Sequence, residues 1–220
     1  MDSIVPSFKK VIFNSSVKDL SAEVAEVGLD GIINNELLEQ IPIVRAIVGI
    51  GKTAQNVRDR HFLKQTLQFT LSLNEGEISK EKLEKHKAKL DSDPEFAEEE
   101  LGRVLVLLDS AIDSEKATIL AALYRSYVEE EINWDEFKEV SEITSRLFLS
   151  DLTLLRDVRL GRVRDTTQCD AYRAERLNAV GLVHLTMKTV RVSPGPSSTD
   201  RFIRTTSLGE KYCDMVMSVI

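Results

Sequence analysis

Residues 93–113 read DPEFAEEELGRVLVLLDSAID, and this stretch decides the fold class. Asp93 supplies a side-chain oxygen for a helix start, and Pro94 follows at the first helical position, where its missing N–H costs nothing. Leu101, Val104, Leu105, Leu108 and Ile112 then recur at helical spacing, which places them on one face. Asp113 or Ser114 opens a second helix with Ala117, Leu120, Ala121, Tyr124, Tyr127 and Val128 as its apolar stripe. Asn133, followed by Glu136, has the form of a capping box for the next helix, whose stripe is Phe137, Val140, Thr144, Leu147 and Phe148. Residues 94–158 thus read as three or four amphipathic helices in series. Their short connections favour antiparallel neighbours. Trp134, Tyr124 and Tyr127 read as core or core-edge anchors.

Towards the N-terminus the signals weaken. Pro6 and the Asn14-Ser15-Ser16 cluster suggest a loosely ordered or partly helical arm. Leu20, Val24 and Val27 suggest a short helix closing near Gly28 or Gly31. Pro42 opens a pattern running through Val44, Ile47, Val48, Val57, Phe62, Leu67, Phe69 and Leu71, which predicts one long helix to about residue 73. Gly49 and Gly51 weaken and kink it, and Asn74-Glu75-Gly76 ends it. Residues 79–90 form a charged helix with few apolar positions, read as a solvated face.

The tail changes character. After the arginine-rich stretch 156–164, Tyr172, Leu177 and Val180 suggest a helix ending at Gly181. Leu182, Val183, Leu185, Met187, Val190 and Val192 alternate as a strand. Pro194-Gly195-Pro196-Ser197-Ser198 is a turn. Phe202 and Ile203 give the return strand, and Ser207 can cap a last helix. The fold class expected is mainly α: a helical domain over residues 1–160 and a small α/β module with a β-hairpin over 161–220.

The 220 residues are 42% apolar and 30% charged, as in globular chains and unlike disordered ones. The net charge of −7 is unevenly spread: residues 1–150 hold 18 Lys/Arg against 28 Asp/Glu, hence −10, and residues 151–220 hold 11 against 8, hence +3. A mildly basic tail on an acidic body points to a nucleic-acid-facing end or to ordinary surface variation. Cys169 and Cys213 have no metal-ligand spacing and read as reduced thiols, with a single bridge across the tail as the alternative. The N-terminus lacks the pattern of a signal peptide. The apolar segment 41–50 is interrupted by Arg45 and spans about half of the ~20 residues a membrane helix needs. The expectation is a cytoplasmic protein without a transmembrane segment.

The order of the tail, a helix, Gly181-Leu182-Val183, a hairpin, then Thr206-Ser207-Leu208-Gly209-Glu210, resembles the second half of a winged-helix domain. In that superfamily a recognition helix runs into a "GLV" strand, a hairpin wing follows, and an "LT-x-x-G" turn opens the closing helix. Here Thr206 and Ser207 stand where "LT" would be. The resemblance implies a docking module for protein or nucleic acid. Arg173 and Arg176 would lie on the recognition helix, diluted by Asp170 and Glu175, and Arg191, Arg201 and Arg204 on the hairpin strands. Glu115-Lys116-Ala117, Ile132-Asn133-Trp134-Asp135-Glu136-Phe137 and Ser150-Asp151-Leu152 look similar to uncharacterised bacterial helical proteins, with a likeness to the tellurite-resistance TerB-type fold. That resemblance lends no catalytic residues.

The sharpest chemical signal is Ala46-Ile47-Val48-Gly49-Ile50-Gly51-Lys52-Thr53, which satisfies the loose form of a phosphate-binding loop. In an NTPase, Lys52 would meet the terminal phosphates, Thr53 the magnesium, and Asp109, after the apolar run 104–108, would complete the site. Three arguments oppose this. Ile47, Val48 and Ile50 are too bulky and apolar for a phosphate-wrapping loop. The segment of Asp109 has helical periodicity. The first 160 residues offer almost no strands for the parallel sheet such a fold needs. His61, His86 and His184 are scattered, so no zinc site is expected. His61 with Arg58 and Arg60 reads as a basic patch or a solvated face, and Asp109 with Asp113 as a cation site or a helix end. No Gly-x-Ser-x-Gly turn provides a nucleophile.

The sequence therefore points to a non-enzymatic binding or regulatory protein, without a cofactor, whose tail module docks a protein in preference to a nucleic acid. Oligomerisation is compatible with it. The alternatives are a P-loop-type nucleotide hydrolase using Gly51, Lys52, Thr53 and Asp109, and peripheral membrane association through residues 41–50.

Overall fold

The computed structural model describes residues 4–14, 57–187 and 201–219. The phosphate-loop stretch 46–53 with Gly51, Lys52 and Thr53, the apolar segment 41–50, Arg191 and the turn 194–198 lie outside the described residues. The protein is mainly helical, with a two-stranded antiparallel sheet near the C-terminus. It divides into two compact units, residues 1–141 and 142–220.

The first unit contains α1 (Ile4–Ile12), α2 (Val57–Glu75), α3 (Lys80–Ser92), α4 (Pro94–Ser110), α5 (Ser114–Val128) and the start of α6 (Trp134–Arg146). The arm expected to be loosely ordered or partly helical contains a helix with a buried face of Val5, Phe8, Val11 and Ile12. Pro6 does not break it because it sits in the first turn, where backbone N–H groups have no intrahelical partner. Phe8 meets Phe69 of α2 with ring centroids 6.1 Å apart. Helix α2 is buried on all sides over much of its length: Leu63, Gln65, Thr66, Leu67, Phe69, Thr70, Leu71, Ser72 and Leu73 are all inside. It packs chiefly on α5, and also on α1 and α4.

The array starts as its sequence dictates. Asp93 Oδ1 accepts from Phe96 N at 3.0 Å, and Pro94 opens α4. Glu136 N donates to Asn133 Oδ1 at 3.0 Å and Asn133 N to Glu136 Oε2 at 2.8 Å, a reciprocal capping box on α6. Two positions depart from the expected stripes. Ile112 is 82% exposed, because α4 ends at Ser110 and the helical phase is lost beyond it. Phe148 is 62% exposed, because α6 ends at Arg146 and the chain turns into the next helix; Leu147 remains buried.

The second unit contains α7 (Leu149–Arg159), a 3₁₀ turn (Thr166–Gln168), α8 (Ala171–Ala179), β1 (Val183–Met187), β2 (Arg201–Thr205) and α9 (Ser207–Val216). The strands pair antiparallel with Val183 opposite Thr205 and Met187 opposite Arg201. Asp165 bridges to Phe202, and Ile203 N donates to Arg164 O at 2.9 Å, so residues 164–165 line the other edge of β2. The division falls before α7 rather than at residue 160, since α7 packs on α8, β2 and α9 and gives Leu152, Leu155 and Val158 to their core.

Four residues of the tail motif meet. Gly181 takes φ +77° at the end of α8, a conformation that favours glycine. Thr206, rather than Ser207, caps α9: its hydroxyl accepts from Gly209 N at 2.9 Å and donates to Gly181 O at 2.6 Å. A Cβ on Gly209 would sit 1.9 Å from the Leu182 carbonyl oxygen, so only glycine lets α9 approach β1 this closely. Cys169 and Cys213 are both free. Among the described residues no helix is long and apolar enough to cross a membrane.

Leu105 and Leu120, 7% and 5% exposed, belong to the core of the first unit. Truncating either to alanine is expected to cost about 2–5 kcal/mol, whereas Ile112→Ala should change stability by less than ~0.5 kcal/mol. Chemical denaturation of the three variants checks the assignment, and equal midpoints would refute it.

Candidate functional site

In the first unit the side chains of chemical interest converge on Glu100. It is 1% exposed, although it belongs to the acidic run Glu98-Glu99-Glu100. Tyr124 Oη donates to Glu100 Oε1 at 2.6 Å, and Tyr127 Oη to Oε2 at 2.8 Å. His86 Nε2 lies 2.8 Å from Glu100 Oε1 and 3.2 Å from Tyr124 Oη. Burial, reinforced by the charge of Glu100, raises both phenols well above their ordinary range. The tyrosines therefore stay protonated and act as donors. With the Tyr124 proton committed to Glu100, its oxygen faces His86 as an acceptor, so both neighbours of Nε2 demand a proton on it. The tautomer is thereby set, and Nδ1 is the nitrogen left available.

Aromatic rings enclose the group. Phe13, Phe96, Tyr124 and Tyr127 meet the imidazole edge-on, with centroids 5.9, 6.4, 6.0 and 5.5 Å away. The cluster opens on a cleft of about 790 Å³, whose lining includes Lys82, His86, Lys89, Tyr127, Ile132 and Trp134. Trp134 stacks on Phe137 at 5.1 Å and meets Tyr127 at 5.2 Å, which places it as the core-edge anchor its sequence suggests. At the lip, Glu130 takes φ +57°, an uncommon conformation for a non-glycine residue. Its carboxylate pairs with Lys85 at 2.5 Å. His86 had carried no signal in a lysine-rich helix. Glu100 carries one: it falls on the Ala97, Leu101, Val104 stripe and is therefore inward-facing despite its charge.

The tail candidates are described except for Arg191, and most are already engaged. Arg176 forms a two-pronged pair with Asp151, Nε to Oδ2 at 2.9 Å and Nη2 to Oδ1 at 2.6 Å. Asp151 is 0% exposed and also accepts from Phe148 N at 3.0 Å. The Arg176 guanidinium lies 4.8 Å from the Phe148 ring centroid and 5.0 Å from that of Tyr172. Arg173 lies 3.2 Å from Asp170, and Arg201 pairs with Glu175. Arg204 is exposed and has no hydrogen-bond or ion-pair partner among the described residues; it stands opposite His184 on the outer face of the hairpin.

The remaining candidates hold the first unit together. Asp109 lies in the last turn of α4 and pairs with Arg58 at 2.5 Å. His61 Nε2 reaches Ala111 O at 2.6 Å. Among the described residues no group of three or more His, Cys, Asp or Glu could hold a metal ion. The chain matches no protein-family model, no curated protein and no solved structure.

Tyr124→Phe removes a donor from a buried carboxylate and should destabilise the protein by about 1–3 kcal/mol; a denaturation midpoint equal to the parent's would refute the donor role. The thiols give a second expectation. Burial pushes Cys213 up to about 11 and also raises Cys169, which is less enclosed. At mildly alkaline pH the folded protein should react with a thiol reagent at Cys169 and only after unfolding at Cys213, which peptide mapping of the labelled sites checks.

Proposed function

We propose that the protein is a non-enzymatic binding or regulatory protein whose C-terminal unit is a winged-helix-like module that docks a protein partner. The observation that carries the choice of partner is the state of the arginines. Three of the five arginines that would meet phosphate, Arg173, Arg176 and Arg201, are each matched to a carboxylate of their own unit. Binding a nucleic-acid backbone through them would mean breaking those pairs, and phosphate affinity rests on free cations. Around them the surface is apolar: Phe148, Tyr172 and Met187 are 62%, 58% and 67% exposed. Aromatic and methionine side chains with arginine between them are the composition enriched in protein interfaces.

Support for the module comes from order and contact. Helix α7, the edge residues 164–165, the 3₁₀ turn, α8, β1, β2 and α9 follow one another as the elements of a winged helix do. The pairings of Thr206 with Gly181 and of Gly209 with Leu182 give a physical reason for the short motif that carries the resemblance. A nucleic-acid reading retains one observation in its favour, the exposed Arg204 beside His184 on the outer strand face.

Titration with short duplex DNA at low salt separates the two. The expected result is weak binding that falls uniformly with salt. Sub-micromolar binding abolished by a combined Arg191→Ala, Arg201→Ala and Arg204→Ala change would overturn the protein-partner reading.

A further inference from the structure

We propose that the cleft beside His86 is a binding site for a small organic acid with a flat apolar body, its carboxylate received by Lys89 next to the His86 ring. This site is in the first unit and is independent of the docking reading for the tail. The imidazole lines the cleft with its side chain 10% exposed. Its Nε2 is committed to Glu100 and Tyr124, and among the described residues Nδ1 has no hydrogen-bond partner. Lys89 lines the same cleft about one helical turn further on. Its ammonium lies 3.6 Å from the Phe96 ring centroid and has no carboxylate partner among the described residues.

The acidic groups at the rim are largely occupied, which leaves the positive end of the cleft open to an anion. Glu136 caps the N-terminus of α6, and Glu130 is held by Lys85. Lys82 is turned to Glu129, whose carboxylate is 3.6 Å away. The opposite wall carries Tyr127, Val128, Ile132 and Trp134, a surface for a ring rather than for a hydrated ion. A volume of about 790 Å³ is in the range of small-ligand sites.

The groups facing the imidazole are Glu100 and Phe96 from α4, Tyr124 and Tyr127 from α5, Phe13 beyond α1, and Lys82, Lys85 and Lys89 along its own helix, with Glu130, Glu131 and Glu136 across the cleft. Of these the buried carboxylate of Glu100 is in direct contact, 2.8 Å from Nε2.

The test uses the full chain and its single tryptophan, whose indole N–H gives one NMR signal from within the cleft. Benzoate is the probe, and inorganic phosphate is the control for charge alone. Saturable movement of the Trp134 and His86 signals by benzoate, with phosphate weaker, is expected. Lys89→Ala should weaken benzoate about tenfold, the scale of one charge-assisted contact, and His86→Gln, which keeps a donor for Glu100 but removes the ring from the cleft lining, should weaken it as well. Lys87→Ala, on the same helix but outside the cleft lining, should bind as the parent does. Absence of saturable shifts, phosphate binding as tightly as benzoate, or parental affinity in either the His86 or the Lys89 variant would each overturn the proposal.

Discussion

The structure depends on burying two carboxylates without leaving either short of donors. A carboxylate withdrawn from water costs several kcal/mol unless hydrogen bonds replace its hydration. Glu100 is compensated from three directions, by His86 of α3 and by Tyr124 and Tyr127 of α5, so these helices cannot rotate against α4 without stranding a charge. Asp151 has the same part in the second unit. It takes the Phe148 N–H at the start of its own helix and the fork of Arg176 from α8. Apolar burial drives each unit to collapse, and the carboxylates select which arrangement of the collapsed helices is tolerated.

Helix α2 shows the complementary solution for polar groups that carry no charge. Buried nearly all round, it has no single wet face to which its threonines and glutamines could turn. Thr66 and Thr70 donate to the carbonyls of Phe62 and Thr66, each at 2.8 Å, and so satisfy themselves within the helix. Gln68 and Ser72 both reach the Thr118 hydroxyl of α5, at 3.0 and 3.2 Å. An all-round buried helix has no single stripe, and its apolar residues Leu63, Leu67, Phe69, Leu71 and Leu73 are spread round it.

Where a stripe and its caps agreed, the sequence was legible. The start of α4 at Pro94, the Asn133–Glu136 box, the buried Leu101, Val104, Leu105 and Leu108, and the hairpin around Val183 and Ile203 all follow from local chemistry. Ile112 and Phe148 show where spacing misleads, at helix ends. Both continue the spacing of the preceding helix, but spacing carries no information about where the backbone leaves that helix. The cluster at Glu100 was not assembled for a different reason. Its members are distant in sequence, and each alone has an ordinary explanation: a histidine among lysines, a glutamate among glutamates, two tyrosines in a core.

The same distinction separates charge counted from charge available. The surplus of +3 over residues 151–220 describes composition, while the field a partner meets depends on which cations remain uncommitted. Arg159 reaches Glu210 and Asp214, Arg162 reaches Asp157, and Arg173, Arg176 and Arg201 have carboxylates of their own. Arginines that look like a phosphate-binding set are mostly holding their own unit together. In the acidic first unit the converse holds at the cleft. Its net charge is negative, yet Glu136, Glu130 and Glu100 are tied up as a helix cap, an ion pair and a buried hydrogen-bond acceptor. Local commitment, rather than the sign of the domain, decides where an anion can be received.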